Sequence, residues 1–195
     1  MAALSKEDQA ILENAKTNFK SNQVQLRKWN KQKPKDLDAR FHEAHQKEFA
    51  KKDCLSCANC CKTTSPIFRQ PDIRRMAKAL KMKESQLIAR YLKVDEDDDY
   101  VLQTSPCFNL LDDNTCAVYD DRPLACREYP HTDRKNMYQI MDLTAQNTLI
   151  CPAVAAIVDK ILVVKNSWKK AKFAHQSNTL WNRLNLISHN IKFAS

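Results

Sequence analysis

Glycine is absent from all 195 residues. Without it neither a phosphate-cradling P-loop nor a G-x-G-x-x-G dinucleotide turn can be written, because both need backbone that no β-carbon obstructs. Turns that require positive φ must then fall to Asn or Asp, at some strain. Long apolar runs are missing too. The most apolar stretch, 153–164, is interrupted by Asp159 and Lys160 and is too short to span a bilayer, so no membrane partner is expected. The first ten residues hold no apolar run and no cleavage-like pattern, which argues against a secretory signal. These absences point to a cytoplasmic protein. No Ser-His-Asp or Cys-His arrangement is visible either.

Cysteine, by contrast, is plentiful and oddly placed. Cys54, Cys57, Cys60 and Cys61 crowd into eight residues as C-x2-C-x2-C-C, and Cys107, Cys116, Cys126 and Cys151 follow singly. Two-residue gaps let successive thiolates on one segment converge on a point, as metal or cluster ligation requires. Free cysteines are often buried as small hydrophobes. That suits one or two scattered thiols, and it fits any of the later four taken alone better than four thiols within eight residues. In a reducing cytosol such a framework binds metal more readily than it forms disulfides. At this length a hydrophobic core is available, so cross-links are not needed to hold the fold.

Cys60 and Cys61 are neighbours, and adjacent side chains diverge. They are expected to serve different sites, or different metals of one cluster. Cys54, Cys57 and Cys60 would share one site, Cys61 would turn to a second, and the later cysteines would complete both. Zinc sites are usually built from paired C-x2-C knuckles. Here three evenly spaced thiolates are followed by dispersed ones and a Cys151-Pro152 pair, closer to a ferredoxin layout. The lack of glycine speaks against a true ferredoxin loop. Spacing alone leaves Zn²⁺ and an iron–sulfur cluster open.

Charge is unevenly spread along a chain of net +9. Residues 62–93 carry nine basic and two acidic residues, whereas 94–121 carry nine acidic residues and no basic one. The basic run through Arg69, Arg74, Arg75, Lys78, Lys81 and Lys83 has the chemistry to contact phosphates. A solvated helix face, or pairing with the acidic 95–99 segment, is the simpler reading, so nucleic acid is not favoured as a partner. His42, His45 and His131 are potential metal ligands, with surface histidine as the simpler alternative.

Apolar periodicity predicts helices over 5–31, with Ser5 and Asp8 as a capping pair, over 36–52, from Pro71, and over 84–92. Short strand-like runs are expected at 100–102, 107–111, 116–119 and 137–143, a helical turn at 122–127, and later helices from Thr144 or Pro152 and over 177–191. The expected fold is α+β and predominantly α-helical. A small β insert, carrying Cys107 and Cys116, surrounds a cysteine-ligated metal core flanked by N- and C-terminal helices. The expected divisions are a helical extension at 1–53, a cysteine-cluster domain at 54–155 and C-terminal helices packing on it at 156–195.

The run Cys54-x2-Cys57-x2-Cys60-Cys61, then Pro106-Cys107-Phe108, Cys116-Ala117-Val118-Tyr119, Arg122-Pro123 and Cys126-Arg127-Glu128-Tyr129-Pro130, resembles the bacterial CxxCxxCC family, a zinc- or iron-chelating cysteine-cluster domain. The resemblance covers about residues 50–155 and all eight cysteines. It implies metal chelation and little more. The same layout resembles a segment of flagellin lysine N-methylase, where an iron–sulfur cluster is implied. This chain has no glycine-rich methyl-donor loop, so that activity is not carried over. Around the thiols, Arg122 and Arg127 can hydrogen-bond sulfur or favour thiolates, or else pair with Asp120, Asp121 or Glu128. Tyr119 and Tyr129 can shield the site or serve as ordinary core aromatics.

The leading expectation is therefore a metal-binding protein with a structural or redox role, using Cys54, Cys57, Cys60, Cys61, Cys107, Cys116, Cys126 and Cys151. A cluster-dependent enzyme acting on a protein or small molecule, and a zinc-stapled nucleic-acid-binding module, are the alternatives. Whether there is catalysis, and which protein is the partner, is not written in the sequence.

Overall fold

The computed structural model describes residues 3–163. The described residues up to 158 form one compact unit, and residues 159–163 are helical. The helix expected over 177–191 lies outside the described residues.

Helix α1 (Lys6–Gln32) starts where the Ser5 hydroxyl accepts the Asp8 amide at 3.0 Å, satisfying a free donor of the first turn. It ends where Lys33 turns left-handed (φ 46°) and returns its amide to the Trp29 carbonyl. Its buried stripe is Leu12, Ala15, Leu26 and Trp29. Helix α2 (Leu37–Phe49) buries Leu37, Phe41 and Ala44. Asp38 on α2 accepts the amides of Asn136 and Met137, at 2.7 and 2.9 Å, and so fixes the 3₁₀ turn Met137–Ile140 against it. That turn runs into a helix over Met141–Asn147, which packs on α1. The helix beginning at Pro152 buries Val154, Ile157 and Val158.

A second core forms over residues 68–118. Helices Gln70–Ala79 and Glu84–Tyr91 bury Ile73, Met76, Ala77 and Leu87. The latter passes straight into strand β1 (Leu92–Val94), antiparallel to β2 (Tyr100–Leu102) in the register Leu92↔Leu102. In the acidic turn between them, one Asp95 carboxylate oxygen accepts the amides of Asp97 and Asp99. Phe68, Leu92, Leu102 and Val118 complete the cluster, and the half-buried Cys107 and Cys116 pack on its edge.

The predominantly helical α+β class holds, but the β insert differs from expectation. The sheet is 92–94 with 100–102 and carries no cysteine. The runs 107–111 and 116–119 are joined by one bridge, Leu110↔Cys116, and form no ladder. Ala117 donates to the Asn109 carbonyl across the two runs, whereas the Cys107 amide leaves them for the Cys61 carbonyl, both at 2.9 Å. Residues 137–143 are also not a strand. Met137, Met141, Thr144 and Ala145 are buried at helical spacing, so the apolar run there has a period of 3.6 rather than 2.

Left-handed backbone without glycine falls to Asp98, Asn114 and Asn136, as expected, but also to Lys33, Ala58, Lys81 and His131. In the basic run, Arg69, Arg74, Lys78, Lys81 and Lys83 are exposed. Arg74 stands 3.6 Å from Glu84 and Arg75 pairs with Asp72, and no ion pair of the described residues reaches the 95–99 turn. Among the described residues no helix is long and apolar enough to cross a membrane.

Candidate metal centre

The cysteine-rich segment is not an open loop. It forms two short helical turns, α3 (Cys54–Cys57) and α4 (Asn59–Thr63). Asp53 starts the first by accepting the Leu55 amide at 3.0 Å. Ala58 separates them in the left-handed region (φ 47°, ψ 21°), with its amide donating to the Cys54 carbonyl at 2.8 Å. A residue with a β-carbon is strained there by about 1–2 kcal/mol. The reversal lets Cys54 and Cys57 lie on one turn and Cys60 and Cys61 on the next. Lys62 spans both by donating to the Cys57 carbonyl at 3.0 Å.

Cys54, Cys57, Cys60 and Cys151 line one cavity of about 390 Å³, together with Asn59 and Tyr129. The Asn59 amide nitrogen donates to the Ile150 carbonyl at 2.6 Å, which holds Cys151 beside α4 across 91 residues of sequence. Lys52 and Asp8, also on the cavity wall, form an ion pair.

Cys61 faces elsewhere. Its carbonyl accepts the Cys107 amide, and its charge bears on Cys107, Cys116 and Cys126. Asn114 ties the 112–115 turn to the Ser56 carbonyl at 3.2 Å, and Cys126 sits on α7 (Leu124–Glu128). The two groups adjoin at Cys60 and Cys61, whose sulfurs hydrogen-bond each other. Cys54 feels Cys57 and Cys61 alike.

Burial is the main reason the thiols resist ionisation. It pushes Cys126 up to about 12, helped by neighbouring Cys61, Cys107 and Cys116, and Cys151 up to about 11. Cys54, Cys57, Cys107 and Cys116 are raised for the same leading reason. Between Cys60 and Cys61 the shared hydrogen bond decides. The Cys60 proton is retained, and Cys61 is pulled down to about 7 against its own burial, with help from the Arg122 and Lys62 charges. Arg122 also favours thiolates at Cys54, Cys116 and Cys126. It is stacked 3.5 Å from the Tyr119 ring centre and donates to the Tyr119 carbonyl at 2.7 Å. No ion pair of the described residues joins Arg122 to Asp120, Asp121 or Glu128, and Arg127 is exposed on α7.

Eight free thiols without a disulfide suit a soft, thiophilic metal. As the side chains stand, no three Cys, His, Asp or Glu of the described residues are grouped tightly enough to hold an ion. Each cysteine has a single side-chain torsion with three staggered wells, so its sulfur can be moved without moving the backbone. The three candidate histidines among the described residues each have a partner other than a cysteine. His42 hydrogen-bonds the Arg134 carbonyl, His45 bonds the Thr132 hydroxyl at 2.7 Å and stacks on Phe49, and His131 sits edge-on to Tyr129.

Sequence reasoning overlooked two supporting residues. Asn59 was visible only as a polar residue inside the motif, and Asp72 as a first-turn acid. Nothing local signals their partners, Ile150 and Leu124, which lie far along the chain.

Short helical turns presenting five of eight free thiols, with the other three on the segments beside them, mark a cysteine-rich domain. The family model CxxCxxCC, "Putative zinc- or iron-chelating domain", matches residues 53–151, and the chain belongs to that family. No curated protein and no solved structure shows a match to it. Membership supports metal binding, with zinc or iron as the metal.

Proposed function

We propose that the chain holds two four-thiolate metal centres, one formed by Cys54, Cys57, Cys60 and Cys151 and the other by Cys61, Cys107, Cys116 and Cys126. The observation that carries this reading is the parting of two adjacent residues. Cys60 lines the cavity with Cys54, Cys57 and Cys151, whereas Cys61 engages Cys107 through its backbone and Cys116 and Cys126 through its charge. Each group offers the four sulfur donors that tetrahedral zinc or an iron–sulfur cluster takes.

The two centres have different surroundings and so different roles. Cys107 and Cys116 pack on the Phe68–Val118 apolar cluster, which fits a structural centre that staples the 107–126 loops to α4. The other centre borders a cavity and is the one placed for redox work. That cavity also favours a second reading, a cluster-dependent enzyme whose substrate reaches the metal from this side. A reducing cytosol, which keeps thiols free to ligate, is the compartment both readings imply.

Anaerobic purification, metal analysis and a visible spectrum identify the metal, and two variants test the division. Cys60→Ala is expected to lose the cavity centre alone, and Cys61→Ala the other alone. Complete loss of metal in both would refute separate centres in favour of one polynuclear centre. An unchanged metal count in Cys61→Ala would remove Cys61 from the ligands.

A further inference from the structure

Tyr129 follows Cys126 by three residues, yet its side chain belongs to the other cysteine group. The amide of Tyr129 donates to the Ala125 carbonyl at 3.2 Å and that of His131 to the Glu128 carbonyl at 2.8 Å, so backbone bonds hold the chain on both sides of the ring. The ring lines the cavity shared by Cys54, Cys57, Cys60 and Cys151. The same four cysteines are the titratable neighbours that bear on its hydroxyl. That hydroxyl is shut off from solvent and has no hydrogen-bond partner among the described residues. A buried hydroxyl normally finds an acceptor, because leaving it without one forfeits its hydration. Four sulfurs are among the acceptors that line the cavity beside it.

We propose that the Tyr129 hydroxyl donates a hydrogen bond to a ligating sulfur of the Cys54, Cys57, Cys60, Cys151 centre and is a positioning residue for that centre alone. This rests on the reading that those four cysteines are ligands. A donor aimed at a metal-bound thiolate withdraws electron density from sulfur and fixes its orientation, as hydrogen-bonding partners of ligands generally do. It also makes α7 a shared support, with Cys126 serving one centre and Tyr129 the other.

The test is anaerobic titration of the full-length, metal-free chain with Co²⁺ alone, following the thiolate-to-cobalt charge-transfer band. Cys60→Ala identifies which band belongs to the cavity centre. Tyr129→Phe is expected to bind as many cobalt ions as wild type. At the cavity centre it should bind about 10–100-fold more weakly, with that band moved to longer wavelength. Site-specific 3-fluorotyrosine at 129 keeps the hydroxyl and makes it a stronger donor, so it should move the band to shorter wavelength. This second substitution retains the ring and hydroxyl should Tyr129→Phe fail to fold. Wild-type affinity and spectrum in both proteins would overturn the proposal, and so would a shift confined to the other centre. Wild-type chain that develops no thiolate–cobalt band would instead overturn the metal reading, and this proposal with it.

Discussion

Replacing Asp72 should damage the fold and the second cysteine group together. Its side chain is 4% exposed and meets three donors: the Arg75 guanidinium at 2.7 Å and the amides of Leu124 and Arg69, each at 3.1 Å. Arg75 in turn donates to the Arg122 carbonyl at 2.7 Å. One carboxylate thus joins the helix Gln70–Ala79 to the start of α7, which carries Cys126, and to the arginine beside the thiols. Asp72→Asn keeps the shape but loses the charge, and its amide nitrogen must face a donor. Breaking a buried ion pair costs about 3–5 kcal/mol. The Arg75 side chain is 29% exposed, so water recovers part of its hydration, and about 3 kcal/mol is the reasonable expectation. For a domain of this size that lowers Tm by about 6–12 °C. The pH dependence gives an independent check. Burial alone would raise the Asp72 pKa, but the Arg75 hydrogen bond and the two amides outweigh it and hold the carboxyl below its ordinary 3.8. The stabilisation is therefore present above pH 3.8 and lost as pH falls through the lower folded value. Urea unfolding of metal-free wild type and Asp72→Asn, followed by circular dichroism, reads both effects. A stability difference under about 0.5 kcal/mol at pH 7, or one that persists undiminished in acid, would refute the argument.

Two further outcomes follow from the same structure. Lys81 is exposed and left-handed (φ 54°), so Lys81→Gly relieves about 1–2 kcal/mol of strain against about 0.4–1 kcal/mol of added freedom in the unfolded chain. The melting temperature should rise by about 1–4 °C, and a fall would show that the turn is held for another reason. Because burial keeps most thiols protonated, with Cys151 up to about 11 and Cys126 up to about 12, each four-thiolate ion should release about three to four protons at pH 7. Affinity should therefore weaken on acidification. The metal-free chain should conversely lose stability as pH rises above 9 through the raised folded value of Cys126. Calorimetry in buffers of different ionisation heat counts the protons, and fewer than one per ion would exclude thiol ligation.

Much of the helical frame was legible because periodicity and punctuation agree there. Ser5, Pro71 and the Leu26–Trp29 stripe each mark what they build, and α1, α2 and the helices at 70–79 and 84–91 fall close to where the sequence puts them. Strand β1 was missed because Leu92 follows Tyr91 with no turn residue to announce a change of period. The runs at 107–111 and 116–119 look like strands in composition, but besides one bridge and the Ala117–Asn109 bond they form no ladder, and the Cys107 amide goes to Cys61, a partner that local sequence cannot reveal. The same limit applies at the thiols. Adjacency leads to the expectation that Cys60 and Cys61 serve different sites, but the hydrogen bond between their sulfurs, the placement of Cys151 by one long-range bond from Asn59 and the solvent-free hydroxyl of Tyr129 all depend on packing.

The left-handed alanine between α3 and α4 bears on how a metal would be captured. A β-carbon disfavours the left-handed geometry at position 58, so the Cys54–Cys61 hairpin keeps it because the surrounding fold imposes it. The backbone of the hairpin is therefore preorganised: its ordering is completed when the chain folds, before any ion arrives. What a metal would still have to order within the hairpin is its side chains, which move fast on the scale of loops. The segment works as a stiff template rather than a flexible noose, and its selectivity among ions rests on how well they match a geometry already set.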